Sequence, residues 1–126
     1  MVFKLSHTSS VWKETVLHTF TCCSGGGMPH GGLVRDTAGS LYGSAVEFGD
    51  TASCHSGCGV VFKLSRLAGG GWKETVLHAF DKSDGAGPGS SLIFDSAGNL
   101  YGTTESGGNL SDCFSAGSGV VFQIVP

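Results

Sequence analysis

The sequence is short of charge. Lys, Arg, Asp and Glu make up 13% of its 126 residues, about half the share of roughly 25% usual in soluble domains. With 7 basic against 10 acidic residues the net charge is −3, and no basic stripe is present to neutralise phosphates, which argues against a nucleic-acid partner. No apolar run approaches the roughly 18 residues that mark a bilayer-spanning helix, so no membrane insertion is expected. The opening Met1-Val2-Phe3-Lys4-Leu5 lacks the long apolar stretch of a signal peptide. Sustained helical periodicity is missing throughout, and 22 glycines stand against helices, because glycine is costly in a helix interior. The apolar share of 40% is too high for a disordered chain. A single domain, 1–126, rich in strands and turns fits this length and balance.

Internal repetition dominates what is there. WKETVLH occurs at Trp12–His18 and again, unchanged, at Trp72–His78, an offset of 60. VFKLS recurs from Val2–Ser6 to Val61–Ser65 and D-x-A-G-x-L-Y-G from Asp36–Gly43 to Asp95–Gly102, both offset by 59. GVVF at Gly59–Phe62 returns at Gly119–Phe122, offset by 60. The repeat units therefore run over about 2–60 and 61–120, with a closing strand at 120–125.

Four stretches in each unit carry the alternation of β-strands. Val60, Phe62 and Leu64 share one face of Gly59–Leu64, with Val61 and Lys63 on the other. Trp72–Phe80 alternates in the same way. Leu92-Ile93-Phe94 leads through Asp95-Ser96-Ala97-Gly98 into Leu100–Thr104. Asp at the first position and Gly at the fourth suit a tight hairpin turn. In order of unit the strands read third, fourth; first, second, third, fourth; first, second, third. The fold class is all-β: two four-stranded units plus one extra strand.

GVVFKLS, WKETVLHAF, SLIFDSAGNLYGTT and the glycine-rich stretch after them resemble the GloVer tandem repeat of bacterial exported proteins. The resemblance spans nearly the whole chain. It implies β-propeller blades, since the D-x-A-G-N-L-Y turn is similar to the hairpin of NHL-type and gluconolactonase-type blades, and it implies an extracellular or cell-surface location. It implies no defined catalytic motif. Propellers close with about 4 to 8 blades, and stacked neighbours supply the core of each repeat. The chain is therefore expected to partner with itself in a cyclic homo-oligomer, three chains giving six blades. In that ring the C-terminal first-to-third strands take their outer strand from a neighbour's Val11–Phe20. One third-type strand, Val2–Leu5 or Val121–Val125, is then surplus. A two-sheet sandwich closed on itself is the alternative.

Of five cysteines, Cys54 and Cys58 lie in one glycine-rich loop. In an exported protein they read as a disulfide staple. Cys113 has no local mate, because Ser118 stands where Cys58 does, and adjacent Cys22 and Cys23 are strained for pairing with each other. The pairing of these three stays open. A zinc site from Cys54, His55, Cys58 and Cys113 fits no familiar spacing, and no metal site is assigned.

His18 and His78 are repeat-equivalent and read as structural hydrogen-bonders, with general base as the competing role. His30 and His55 lie in loops. Asp36 and Asp95 cap turns, while Glu47 and Glu105 follow the second strand in loops that would face a channel mouth. Asp81-Lys82-Ser83-Asp84-Gly85 has some likeness to a calcium loop but lacks the regular acid spacing and closing Glu. No G-x-S-x-G elbow is present, and Gly25–Gly27 and Gly69–Gly71 precede strands, reading as flexible loops rather than phosphate cradles.

The function read from these residues is a non-enzymatic propeller module of an exported protein, for assembly or ligand binding. One alternative is a calcium-dependent lactonase-like hydrolase using His18, His78, Glu47 or Glu105, with calcium as its only candidate cofactor. Another is a lectin-like propeller stacking Trp12, Tyr42, Trp72 or Tyr101 on a glycan, although those aromatics also suit a blade core.

Overall fold

A computed structural model describes residues 1–21, 25–49, 51–111 and 116–126. Among the described residues there is no helix, and nine strands form three antiparallel sheets. The first sheet is the hairpin β1 (Val2–Thr8) and β2 (Val11–His18). The second has the order β3-β4-β5-β6, with β3 (Val34–Arg35), β4 (Leu41–Ala45), β5 (Val60–Arg66) and β6 (Trp72–Ala79). The third has the order β7-β8-β9, with β7 (Ile93–Phe94), β8 (Leu100–Thr103) and β9 (Val121–Ile124). This two-four-three division is the one the repeat predicts, and it is not a two-sheet sandwich.

Registers repeat with the sequence. β1 and β5 each shift register after their first residues, at Val2/Phe3 and Val61/Phe62. Beyond the shift Phe3 opposes Val16, as Phe62 opposes Val76. The first-type strands are only two residues long, because Asp36 and Asp95 end them by capping the turns that follow. Oδ1 of Asp36 accepts from the Ser40 amide at 2.8 Å, and Oδ1 of Asp95 from the Asn99 amide at 2.9 Å. Each turn is tied to the next strand: the Tyr42 hydroxyl donates to Asp36 and the Tyr101 hydroxyl to Asp95, both at 3.0 Å.

The alternation of β5 places it between two cores. Val60, Phe62 and Leu64 pack with Val2, Leu17 and Phe20 of the N-terminal segment. On the opposite face Val61 packs with Tyr42, Leu77 and Phe80 against Leu92, Leu100 and Phe122 of the third sheet. The central sheet is thus covered on both sides while each outer sheet is covered on one, as expected when apolar sheet faces need neighbours to be buried. Gly25, Gly26 and Gly27 are buried in the seam between the first two sheets and are not the open loop that a glycine run suggests. A Cβ on Gly26 would lie 2.5 Å from Val60. Gly69–Gly71 are open, with nothing near an added Cβ.

Candidate functional site: the seam between neighbouring sheets

The seam occurs twice, with equivalent residues. Phe20 meets Phe62 edge-on with ring centroids 5.0 Å apart, and Phe80 meets Phe122 at 5.1 Å. In both places a histidine two residues earlier stands at right angles to the first phenylalanine: His18 on Phe20 at 4.9 Å, His78 on Phe80 at 4.7 Å, each with planes at 86°. One set of side chains therefore packs in one way at both seams.

The histidines differ in what lies beyond them. Nε2 of His18 is 2.8 Å from Oε2 of Glu74, which is presented by β6 of the next sheet. This is ion-pair contact without hydrogen-bond alignment, and Oε1 of Glu74 is buried with no hydrogen-bond partner among the described residues. Burial pushes the Glu74 carboxyl above its ordinary value, an effect His18 only partly offsets. Among the described residues His78 faces no glutamate. Its Nε2 is 2.7 Å from Oδ2 of Asp84, in a pair more exposed than the first. His18 thus reaches a strand of the next sheet, whereas His78 reaches its own following loop.

Other candidates lie apart. The Asp81–Gly85 loop is an internally bonded turn, since Oδ1 of Asp81 accepts from the Ser83 hydroxyl at 2.6 Å and its amide at 3.0 Å. These bonds, led by that from the Ser83 side chain, hold the Asp81 carboxyl below its ordinary value. Among the described residues no three His, Cys, Asp or Glu side chains are grouped to hold a metal ion. Cys54 and Cys58 form a disulfide with Cα atoms 5.3 Å apart, so neither is a thiolate ligand. The zinc alternative loses those two donors, while Cys113, Cys22 and Cys23 lie outside the described residues.

Glu47 and Glu105 belong to matching loop pairings. The backbone of Glu47 bridges Gly27, while the Glu105 amide donates to the Gly87 carbonyl at 3.1 Å. Tyr42 is buried core beneath Lys63, whose ammonium lies 5.1 Å from the ring centre. Tyr101 is half-buried, and its hydroxyl accepts from Gln123 at 2.8 Å. Trp72 is half-buried beside Arg66, whereas Trp12 is exposed and leans on His7. His30 and His55 are exposed in loops.

Sequence reasoning missed Glu74. Its heptad is identical to that of exposed Glu14, so the only available signal was repeat arithmetic: a face repeated along the chain must meet itself.

Three antiparallel sheets generated by one repeated unit and joined through equivalent seams define an all-β tandem-repeat protein. Residues 1–126 match the Gloeobacter/Verrucomicrobia repeat, and the chain belongs to that family. No curated protein and no solved structure matches it.

Proposed function

We propose that the chain is a non-enzymatic β-propeller repeat module of an exported or cell-surface protein, and that its two outer sheet faces are docking surfaces for further copies of itself. One observation carries this reading: equivalent residues are buried at the internal seams and bare at the outer faces. Phe62 is fully buried whereas its equivalent Phe3 is 49% exposed. Val61 is fully buried whereas its equivalent Val121 is 79% exposed.

The two bare faces are complementary halves of the same seam. The front of the third sheet offers Ile93, Tyr101 and Val121, equivalents of Val34, Tyr42 and Val61, which cover the third sheet from the central one. The back of the first two sheets offers Phe3, Leu5, Leu33 and Leu41. Leu33 and Leu41 correspond to Leu92 and Leu100, which are buried at the second seam. A groove of about 490 Å³ lies over Phe3, Leu17, Leu33, Leu41 and Trp72. It falls where first- and second-type strands of a neighbour would stack.

Front-to-back contact of this kind is heterologous and closes into rings when the rotation allows. With the third sheet completed by a neighbour's outer strand, each chain contributes two blades and three chains make six. Apolar faces of this extent mark association surfaces. Light scattering at micromolar concentration tests the reading. A mass near three times 12.8 kDa is expected, and a chain that remains monomeric overturns it.

A further inference from the structure

The seam also has a polar component, and it specifies a contact between copies. Within the chain His18, at the end of a fourth-type strand, meets Glu74, in the middle of the next fourth-type strand. His78 is the equivalent of His18, with the same right-angled packing on its phenylalanine. Its counterpart of Glu74 would belong to a fourth-type strand on the third sheet, and among the described residues that sheet has only first-, second- and third-type strands. The fourth-type strands in this sequence are Val11–His18 and Trp72–Ala79. Trp72–Ala79 is already placed beside β5. Val11–His18 carries Glu14 where Glu74 stands, and Glu14 is exposed.

We infer that in the assembly Glu14 of a second copy meets His78, as Glu74 meets His18 within one chain; this deepens the strand-completion reading and rests on it. The His78 imidazole is held against Phe80, and among the described residues its Nε2 contacts the partly exposed carboxylate of Asp84. The arriving strand also brings Phe3 into reach, because β1 is paired with β2 along the whole of Val2–Thr8. Phe3 is the equivalent of Phe122, so β1 can take the place of β9 beside β8 and keep a phenylalanine against Phe80. β9 is the weaker holder of that place, being paired only along Val121–Ile124.

The register predicts an asymmetric proximity: residue 14 of one copy lies near residue 78 of another, and residue 14 does not lie near residue 14. The test uses the full chain with Cys22, Cys23 and Cys113 changed to serine and a short bifunctional thiol crosslinker. An intrachain control carrying His18→Cys and Glu74→Cys sets the yield for a genuine seam pair. Mixing a Glu14→Cys chain with an excess of a His78→Cys chain is expected to give a crosslinked pair at comparable yield per Glu14→Cys chain, and each variant alone is expected to give none. If the mixture assembles by light scattering without crosslinking, or if Glu14→Cys crosslinks to itself, this register is overturned while self-association stands. If nothing assembles, both fall.

Discussion

Phe80 meets the edge of Phe122 across the second seam with ring centroids 5.1 Å apart and planes at 63°. Sixty residues earlier Phe20 meets Phe62 at 5.0 Å and 69°. Edge-on aromatic pairs add to the gain from buried area, and here the same pair fixes the relation between successive sheets twice. The repeat is thus a repeat of an interface as much as of a sheet. That is why the uncovered ends of the stack can be read at all: each outer face is a known half of a contact whose other half lies inside the molecule.

Truncating these rings should be among the most costly single changes. Phe62 and Phe80 are almost completely buried, and removing such a side chain costs about 3–5 kcal/mol. Phe62→Ala and Phe80→Ala should each lower the unfolding free energy read from urea melts by an amount in that range. Leu67→Ala, at an exposed loop position, should change stability by no more than about 0.5 kcal/mol. Equal losses at all three positions would show that the seams are not the stabilising element.

The carboxylates should divide by sign with pH. Burial raises Glu74 above its ordinary 4.5 and His18 only partly counters this, so its stabilising contribution is complete below that value and is lost as pH rises through the higher folded value. Asp95 is held below 3.8, first by the Asn99 side chain and then by the Asn99 amide. For Asp36 burial acts upward, but the bonds from Ser40 and Tyr42 outweigh it and the net shift is also downward. The contribution of both aspartates is present above 3.8 and is lost as pH falls through their lower folded values. Urea melts of the wild type and Glu74→Gln at pH 4 and pH 7 separate the effects. The wild type should lose stability relative to the variant between pH 4 and pH 7; the opposite trend would mean that the His18 contact, and not burial, governs this carboxyl.

What the sequence disclosed followed from locality. The alternation in WKETVLH and GVVFKLS and the Asp-to-Gly turns act within a few residues, so strand type, order and turn position are all legible in the residues themselves. The partner of a side chain is not. Glu14 and Glu74 sit in identical heptads, yet one is exposed and the other pressed against His18, because the difference lies in which sheet stands in front. Gly25–Gly27 misled for the same reason. Their composition matches the open Gly69–Gly71 loop, but their glycines are needed for close packing beneath Val60 and Phe48. The first-type strands came out shorter than their apolar runs because the Asp caps claim the next residue.

The disulfide should stabilise modestly. Cys54 and Cys58 are four residues apart, and closing so small a loop in the unfolded chain is worth about 2 kcal/mol on a chain-entropy view. The loop is also held by backbone bonds, from the Phe48 amide to Ser56 at 2.7 Å and from the Gly59 amide to Phe48 at 2.9 Å. Cys54→Ala with Cys58→Ala should therefore lower stability by about 2 kcal/mol while the circular dichroism spectrum keeps its strand signature. Loss of the fold would show that the staple organises β5, and an unchanged melting temperature would show that the backbone ladder suffices.

Two glycines separate backbone strain from packing. Gly26 and Gly70 have nearly the same backbone angle, φ of 91° and 90°, where a side chain costs about 1–2 kcal/mol. Around Gly70 an added Cβ meets nothing within 4 Å, whereas at Gly26 it would lie 2.5 Å from Val60 and 3.0 Å from Ala45, both in the buried core. Gly70→Ala should then cost about 1–2 kcal/mol and Gly26→Ala a further 1–3 kcal/mol, roughly the penalty for overpacking a filled core. Chemical denaturation of the two variants gives the difference directly, free of the shared backbone term. Equal costs would mean that the seam can open by the width of a methyl group, and a seam that loose could not hold successive sheets in one fixed relation.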